Sequence, residues 1–417
     1  MKPAVAKAAS ASFPASLRCS RTGVYAPLLK PESPLDPPLK KGGTGGLSPG
    51  GTVSRRRAWH LNAVLVASLS ILGGVPAVAF QFQDARPGYA FSFPRDHASH
   101  DAFRTEWWYY SGLIAGPDGQ RFGYQLTFFR SGVDPGSKNP SRWTVRHLYL
   151  AHFAVADLAA RRHVFFEKMN RAGIGWAGSR PDRLHVWNED WSAEISEGIH
   201  RLRARGGGYE IQLDLEPFRP PVIHGRDGVS RKGNGPGEAS HYVSLTRMKT
   251  TGILTAGGRV IPVKGESWMD HEFTSADLSP NLAGWDWLGL RLSDGSDLMI
   301  YRLRARGEGS REIVSGTLVR PDGAARSLEA AEIRLAPGGT WKSPGSGAAY
   351  PVHWRVEIPG ERIVLDARAV FPEQELVTAE STRVTYWEGV VDVSGESRGK
   401  VVTGEGYLEM TGRARPE

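Results

Sequence analysis

The densest gathering of side chains able to do chemistry is Lys264-Gly-Glu-Ser-Trp-Met-Asp-His-Glu-Phe273, followed closely by Gly284-Trp-Asp-Trp287. It brings together Trp268, Trp285 and Trp287, the carboxylates Asp270, Glu272 and Asp286, and His271. Trp and ionisable groups at this density suit an apolar pocket with a few placed polar groups. On a strand, Trp268, Asp270 and Glu272 share one face, and Met269 and His271 the other. A carboxyl in an apolar wall has its pKa raised and can donate a proton. An aromatic face beside it attracts a cation, worth about 2 kcal/mol or more when desolvated. The alternative is structural: Trp268 belongs to the core and Asp270 is a hydrogen-bonded joint residue, because Tyr407 and Glu409 recur at equivalent places near the C-terminus.

A second cluster, Asp96-His97-x-x-His100 with Glu106, has the residue types of a metal site. The alternative is a polar N-terminal plug that hydrogen-bonds to a barrel mouth. Without a body cysteine to add to it, no metal is expected. Two Gly-x-Ser-x-Gly matches, at 46–50 and 395–399, fall in the leader and in a hairpin turn. Neither offers the strand-to-helix context of a nucleophile elbow. No phosphate-binding or dinucleotide fingerprint is present, and no cofactor is expected.

The elements that must position these residues form a repeat. Gly265-Glu-Ser-Trp-Met-Asp270 returns as Gly404-Glu-Gly-Tyr-Leu-Glu409. Glu106-Trp-Trp-Tyr-Tyr, Pro117-Asp-Gly119 and Phe122-Gly-Tyr-Gln-Leu126 read as strand, tight turn, strand, and so do the segments from Gly284 through Ser293-Asp-Gly295 to Arg302. Asp-Gly between alternating apolar runs signals a hairpin. Each half thus opens with a Trp-bearing hairpin and closes with a Gly-Glu-x-aromatic-aliphatic-acid strand. Trp107 and Trp108 point to opposite faces, so one lines an interior and one packs outside.

Period-two patterning continues over 121–130, 148–157, 209–215, 242–248, 260–269, 298–304, 363–370 and 384–393. With 50 Gly and 28 Pro punctuating short strands, the expectation is an all-β chain of two antiparallel barrels in tandem, each closed around an interior that can hold a ligand. The expected divisions are 88–275 and 276–414. The segment 217–237, with Lys232, reads as a long rim loop and mobile lid.

The net charge of +8 over 417 residues resides in the leader, where residues 1–79 hold ten Lys/Arg and two Asp/Glu, leaving 42 of each sign in the body. A neutral body excludes nucleic acid as a partner. The only cysteine, Cys19, also lies in the leader, which removes thiol chemistry and disulfides from the body. Residues 1–52 have disordered composition. Arg55-Arg-Arg57, the apolar run 61–72 and Pro76-Ala-Val-Ala79 read as a signal peptide cleaved before Phe80, with export to the periplasm or beyond; an uncleaved anchor helix is the alternative.

The chain resembles the AttH-like family of double lipocalin-type proteins, which includes carotenoid 1,2-hydratase (hydroxyneurosporene synthase). The matching pieces are Phe93-Pro-Arg-Asp-His97 with His100, Glu106-Trp-Trp-Tyr-Tyr110, Phe122–Arg130, His152-Phe-Ala, His224–Gly233, Ser267-Trp-Met-Asp-His-Glu272, Gly284-Trp-Asp-Trp287 and Tyr386-Trp-Glu-Gly389. They span about residues 90–414. The resemblance implies paired calycin-like barrels and, for its hydratase members, addition of water to a terminal alkene. On that reading Asp270 is the acid, Trp268 the cation stabiliser, and Tyr242 with Ser240 positions the water, with Glu272 beside them. Trp107, Trp285, Trp287, Asp286, His271, Glu106 and His97 complete the expected ligand-contacting set. The expected function is an exported protein that binds a lipophilic, isoprenoid-type molecule and hydrates it. A non-catalytic lipid carrier or attachment-type surface protein, and a secreted hydrolase with an unfamiliar site, stay open. So do loose membrane association and the oligomeric state.

Overall fold

Alternating apolar and polar residues broken by turn formers give strands almost throughout. The computed structural model describes residues 80–133, 136–233, 235, 237–276, 279–307 and 311–414; the leader, signal peptide and cleavage point lie outside them. Apart from three short 3-10 turns, the described residues form two antiparallel sheets. The first runs, strand beside strand, Arg162–Arg171, His147–Asp157, Arg121–Gly132, Thr105–Ala115, Arg259–Thr274, Ala239–Ala256, Tyr209–Pro217, Ile199–Gly206, Trp191–Ser196, His185–Asn188 and Ala177–Ser179. The second runs Ala325–Glu329, Ile313–Val319, Asp297–Ala305, Leu282–Leu292, Lys400–Met410, Thr385–Ser397, Ile363–Ala369, Ala349–Ile358 and Arg334–Lys342. The first curls into a nearly closed barrel and the second into a half-barrel, the tandem lipocalin-like architecture expected.

The internal repeat is visible in the pairing. In the first sheet the closing strand Arg259–Thr274 lies against the opening strand Thr105–Ala115, with Asp270 opposite Tyr109. In the second, the closing strand Lys400–Met410 lies against the opening strand Leu282–Leu292, with Glu409 opposite Trp287. Each opening hairpin turns at its Asp-Gly: Gly119 and Gly295 sit at φ +75° and +86°, in the region that only glycine enters without strain.

Successive side chains on a strand point to opposite faces, and here the even-numbered residues of Thr105–Ala115 point into the barrel. Trp108 and Tyr110 join Tyr124, Phe128, Phe153 and Trp191 there, all essentially without exposure. These aromatics fill the interior, so the chamber expected inside the first barrel is a packed core instead. The second interior is filled likewise by Leu288, Leu290, Tyr350, Trp354 and Trp387. A third cluster joins the outer faces of the two sheets and includes Tyr109, Tyr242 and Trp268 from one half with Trp287, Tyr301 and Tyr407 from the other. The ligand space belongs to this third region.

The described residues of the segment 217–237 are tied down rather than free as a lid. Val222–Ile223 and Ser230–Arg231 pair with Ala239–Ala256. Arg219 reaches Asp297 of the second half at 2.7 Å, and His224 Nδ1 meets Thr317 Oγ1 at 2.8 Å. The segment therefore ties the halves together.

Candidate active site

Between the sheets lies a cavity of about 330 Å³, lined from one side by Trp107, Tyr109, Tyr242, Asp270 and Glu272 and from the other by Trp285, Trp287, Tyr301, Glu388 and Glu409. Strand parity explains the selection: 107 and 109 face away from the barrel core, as do 270 and 272 on the neighbouring strand.

Asp270 is the centre of the polar network. Its Oδ1 accepts from the Trp268 indole Nε1 at 2.6 Å and from the hydroxyl of Ser244, its cross-strand partner. Its Oδ2 accepts from the Tyr242 hydroxyl at 2.7 Å. Each donor is itself held. Trp287 Nε1 donates to the Tyr242 oxygen at 2.9 Å, and His224 Nε2 lies 2.6 Å from Ser244 Oγ. Because Ser244 gives its proton to Asp270, His224 must carry its own on Nε2 and accept from Thr317 at Nδ1. Burial pushes the Asp270 carboxyl up to about 7, against the pull of its three donors and with Glu272 adding to the rise. Burial, and then Asp270, lifts the Tyr242 phenol well above its ordinary value.

Glu272 is paired with Lys232, whose Nζ lies 2.8 Å from Oε1. The ammonium also sits 4.2 Å from the Tyr301 ring centroid and 5.1 Å from that of Tyr242. Burial works against this charge, but Glu272 and its neighbours outweigh it and raise the Lys232 pKa. On the opposite wall, Glu388 and Glu409 face each other across adjacent strands. Burial, and for Glu388 the proximity of Glu409, raises both carboxyls.

Of the residues expected at the site, Asp270, Tyr242, Glu272, Trp107, Trp285 and Trp287 line this one cavity. Trp268 lies behind Asp270, holding it through the indole nitrogen and packing edge-on against Trp287. Ser240 is two strand periods too early; its hydroxyl is directed at Ser230 O, and Ser244 takes the place expected for it. Asp286 faces the other way, buried with Arg413 Nη2 at 2.6 Å and Arg304 Nε at 3.3 Å.

His97, Glu106 and His271 lie outside the cavity, in a polar knot at the barrel mouth. Glu106 Oε1 meets His100 Nδ1 and His271 Nε2, each at 2.8 Å, while Oε2 accepts from Arg130 Nε at 3.0 Å. The N-terminal segment is stitched on by His271 Nδ1 to Asp96 O and by Trp108 Nε1 to His97 O. His100, Glu106 and His271 lie within 4.8 Å of one another, but their ligand atoms face each other in hydrogen bonds and the Arg130 cation occupies the flank of Glu106. That set suits a plug better than an ion. Although burial opposes ionisation, Arg130 and the two histidines hold Glu106 well below the usual carboxylate range. Burial lowers His97 to about 3.

Sequence reasoning missed Ser244, His224 and Glu388 and left Glu409 as a structural counterpart. Period two from Tyr242 points to Ser244, and the repeat already pairs Glu409 with Asp270.

Two sheets wrapped back to back, with the polar residues gathered between them, define a double lipocalin-like protein. The AttH-like family profile matches residues 84–413, and the chain belongs to that family. A Nitrosomonas europaea protein provisionally assigned as AttH has a crystal structure with 33% identity and a TM-score of 0.73, covering 80% of this chain and 100% of that one. Kievitone hydratase from Nectria haematococca shares the fold at 16% identity and a TM-score of 0.61, covering 79% of this chain and 95% of its own. No curated protein sequence matches the chain.

Proposed function

We propose that this is a lipocalin-like hydratase that adds water across an alkene of an apolar, isoprenoid-type ligand, with Asp270 as general acid. The observation that carries the reading is a carboxyl raised to about 7 in a cavity that also presents the rings of Trp107, Tyr109, Trp285 and Trp287. Near neutrality such a group is protonated often enough to donate and acidic enough to let the proton go. The π electrons of the alkene take the Asp270 proton at the less substituted carbon, which leaves a tertiary cation. Trp107, Trp285 and Trp287 line the space where that charge develops. Water bonds to the cation and its surplus proton returns to the Asp270 carboxylate, so that alkene and water give an alcohol and the acid is restored. Ser244, Trp268 and Tyr242 fix the carboxylate in place and stabilise it while it is ionised. A protein of the same fold is named a hydratase, which supports the reading.

The test is turnover of a terminal isoprenoid alkene by wild type and Asp270→Asn. The variant keeps shape and hydrogen-bonding capacity but has no transferable proton, and its rate falls by about 10²- to 10⁴-fold. Ligand binding without turnover in the wild type would make the protein a carrier.

A further inference from the structure

Beside Asp270, whose cross-strand partner is Tyr109, and on the facing sheet, the cavity carries polar groups that the hydration chemistry does not use. Tyr109 and Gln125 are diagonal neighbours on the first sheet, since Tyr109 pairs with Thr127 and Gln125 lies two residues along the same face. Facing them, Glu388 and Glu409 are direct cross-strand partners on the second sheet. All four line the cavity. Tyr109, Gln125 and Glu388 are 6%, 2% and 3% exposed. Nevertheless no well-formed hydrogen bond reaches the Tyr109 hydroxyl, Gln125 Oε1 or Glu388 Oε1, although the Tyr109 phenol and the Glu388 carboxyl lie within reach of each other. Buried polar atoms are almost always paired, and leaving one unpaired costs about 1–3 kcal/mol. Polar atoms left short of well-formed partners on the wall of one cavity mark a place built for a polar group.

We infer that Tyr109, Gln125 and Glu388, together with Glu409, bind a hydroxyl group of the ligand, so that the ligand is an apolar molecule carrying an alcohol. This deepens the proposed function by naming the ligand class, but it rests only on the cavity and not on turnover. The chemistry selects a hydroxyl over its rivals. Gln125 is fixed as an acceptor toward the cavity, because its Nε2 is engaged with Thr127 Oγ1 at 2.6 Å. Two carboxyls on directly paired residues in a buried wall cannot both ionise easily, so one keeps a proton to donate. The site therefore offers acceptors together with a donor, which matches an –OH that both gives and receives. An ether oxygen would leave Gln125 unpaired. An ammonium would have no lone pair to accept from the protonated carboxyl, and would enter a cavity that already holds the Lys232 cation.

The test is binding of three probes of near-equal size, 1-octanol, heptyl methyl ether and octylamine, followed by quenching of cavity tryptophan fluorescence. Wild type should bind octanol about tenfold more tightly than its ether isomer, as expected for one hydrogen bond to a buried polar site. Tyr109→Phe, which removes one oxygen and keeps the ring, should cut that preference to about threefold or less, and Glu388→Leu should abolish it. Asp270→Asn should keep the full preference while losing turnover, which separates this inference from the catalytic one. Equal binding of alcohol and ether by wild type, an unchanged preference in folded Tyr109→Phe, or tightest binding of octylamine would each overturn it. Should Glu388→Leu fail to fold, the wild-type comparison and Tyr109→Phe still decide.

Discussion

Trp287, on the opening strand of the second half, donates its indole N–H to the Tyr242 hydroxyl of the first half at 2.9 Å. The same phenol donates to Asp270 at 2.7 Å. A chain of donors therefore crosses from one sheet to the other before it reaches the acid. The first barrel alone has Asp270 but lacks the group that directs its phenol, so the halves have a reason to stay docked beyond the apolar area they bury.

Trp287→Phe isolates this link. The ring contact with Tyr109, edge to face at 5.5 Å, survives in large part, while the N–H is lost and the Tyr242 oxygen loses its donor. A missing hydrogen bond at a buried polar group costs about 1–3 kcal/mol, so kcat should fall by about tenfold or more with little change in fold. Steady-state kinetics with a circular-dichroism control checks this.

Asp270 also sets a pH dependence of stability. Its folded-state pKa, about 7, lies above that of an unfolded aspartate, so ionisation opposes folding. The favourable contribution of the neutral acid is complete below the unfolded value near pH 4, and is lost as the pH rises through about 7. Asp270→Asn cannot ionise. The difference in Tm between variant and wild type should therefore move in favour of the variant from pH 5 to pH 8. A difference independent of pH would show that Asp270 is ionised throughout.

The Glu106 knot is predicted to be structural. Glu106→Gln leaves the wholly buried Arg130 guanidinium with only the longer contact to the half-exposed Asp101, 3.7 Å away, and breaking a buried pair from one side costs about 3–5 kcal/mol. Denaturant unfolding should show a loss of that size, while a chelator should leave the wild-type Tm where it is. A Tm that drops with chelator would convert His100, Glu106 and His271 into a metal site.

How far the sequence disclosed this arrangement depends on parity. The repeat of Gly265–Asp270 as Gly404–Glu409 and the two Asp-Gly hairpins were legible because turns and strand motifs are local. The shared face of Trp268, Asp270 and Glu272 followed from period two alone. What the sequence could not say is which face looks where. The strand Thr105–Ala115 is buried along nearly its whole length, because one face packs the barrel core and the other meets the second sheet. A strand buried on both sides loses its hydropathy alternation, so Asp286 and His271 read as pocket residues although they point into the two barrels. Gln125 and Glu388 stand inside the matching motifs without an assigned role, for a related reason: their role arises only where the two sheets face each other, 263 positions apart in the chain.

Export is predicted from Arg55–Arg57, the apolar run 61–72 and Ala77-Val-Ala79. N-terminal sequencing of the protein from its native host should begin at Phe80 or within a few residues of it. A mature product that retains Arg55 would refute cleavage.

Trp268 gives the sharpest separation between an orienting residue and a ring that touches the ligand. Its indole N–H donates to Asp270 Oδ1 at 2.6 Å, and that bond favours the ionised carboxylate, holding the pKa below what burial alone would impose. Trp268→Phe removes the donor and keeps an aromatic ring in the cluster. The Asp270 pKa should then rise, and since a general acid works in its protonated form, the basic limb of the pH–rate profile should move to higher pH. Below that limb the rate should change little, because the ring lies behind Asp270 and not along the cavity wall. A ring that stabilised the cation directly would behave differently: Phe is a weaker cation binder than Trp, so the rate would drop at every pH while the limb stayed in place. Measuring kcat/KM from pH 5 to pH 9 for wild type and Trp268→Phe distinguishes a shifted limb from a lowered plateau.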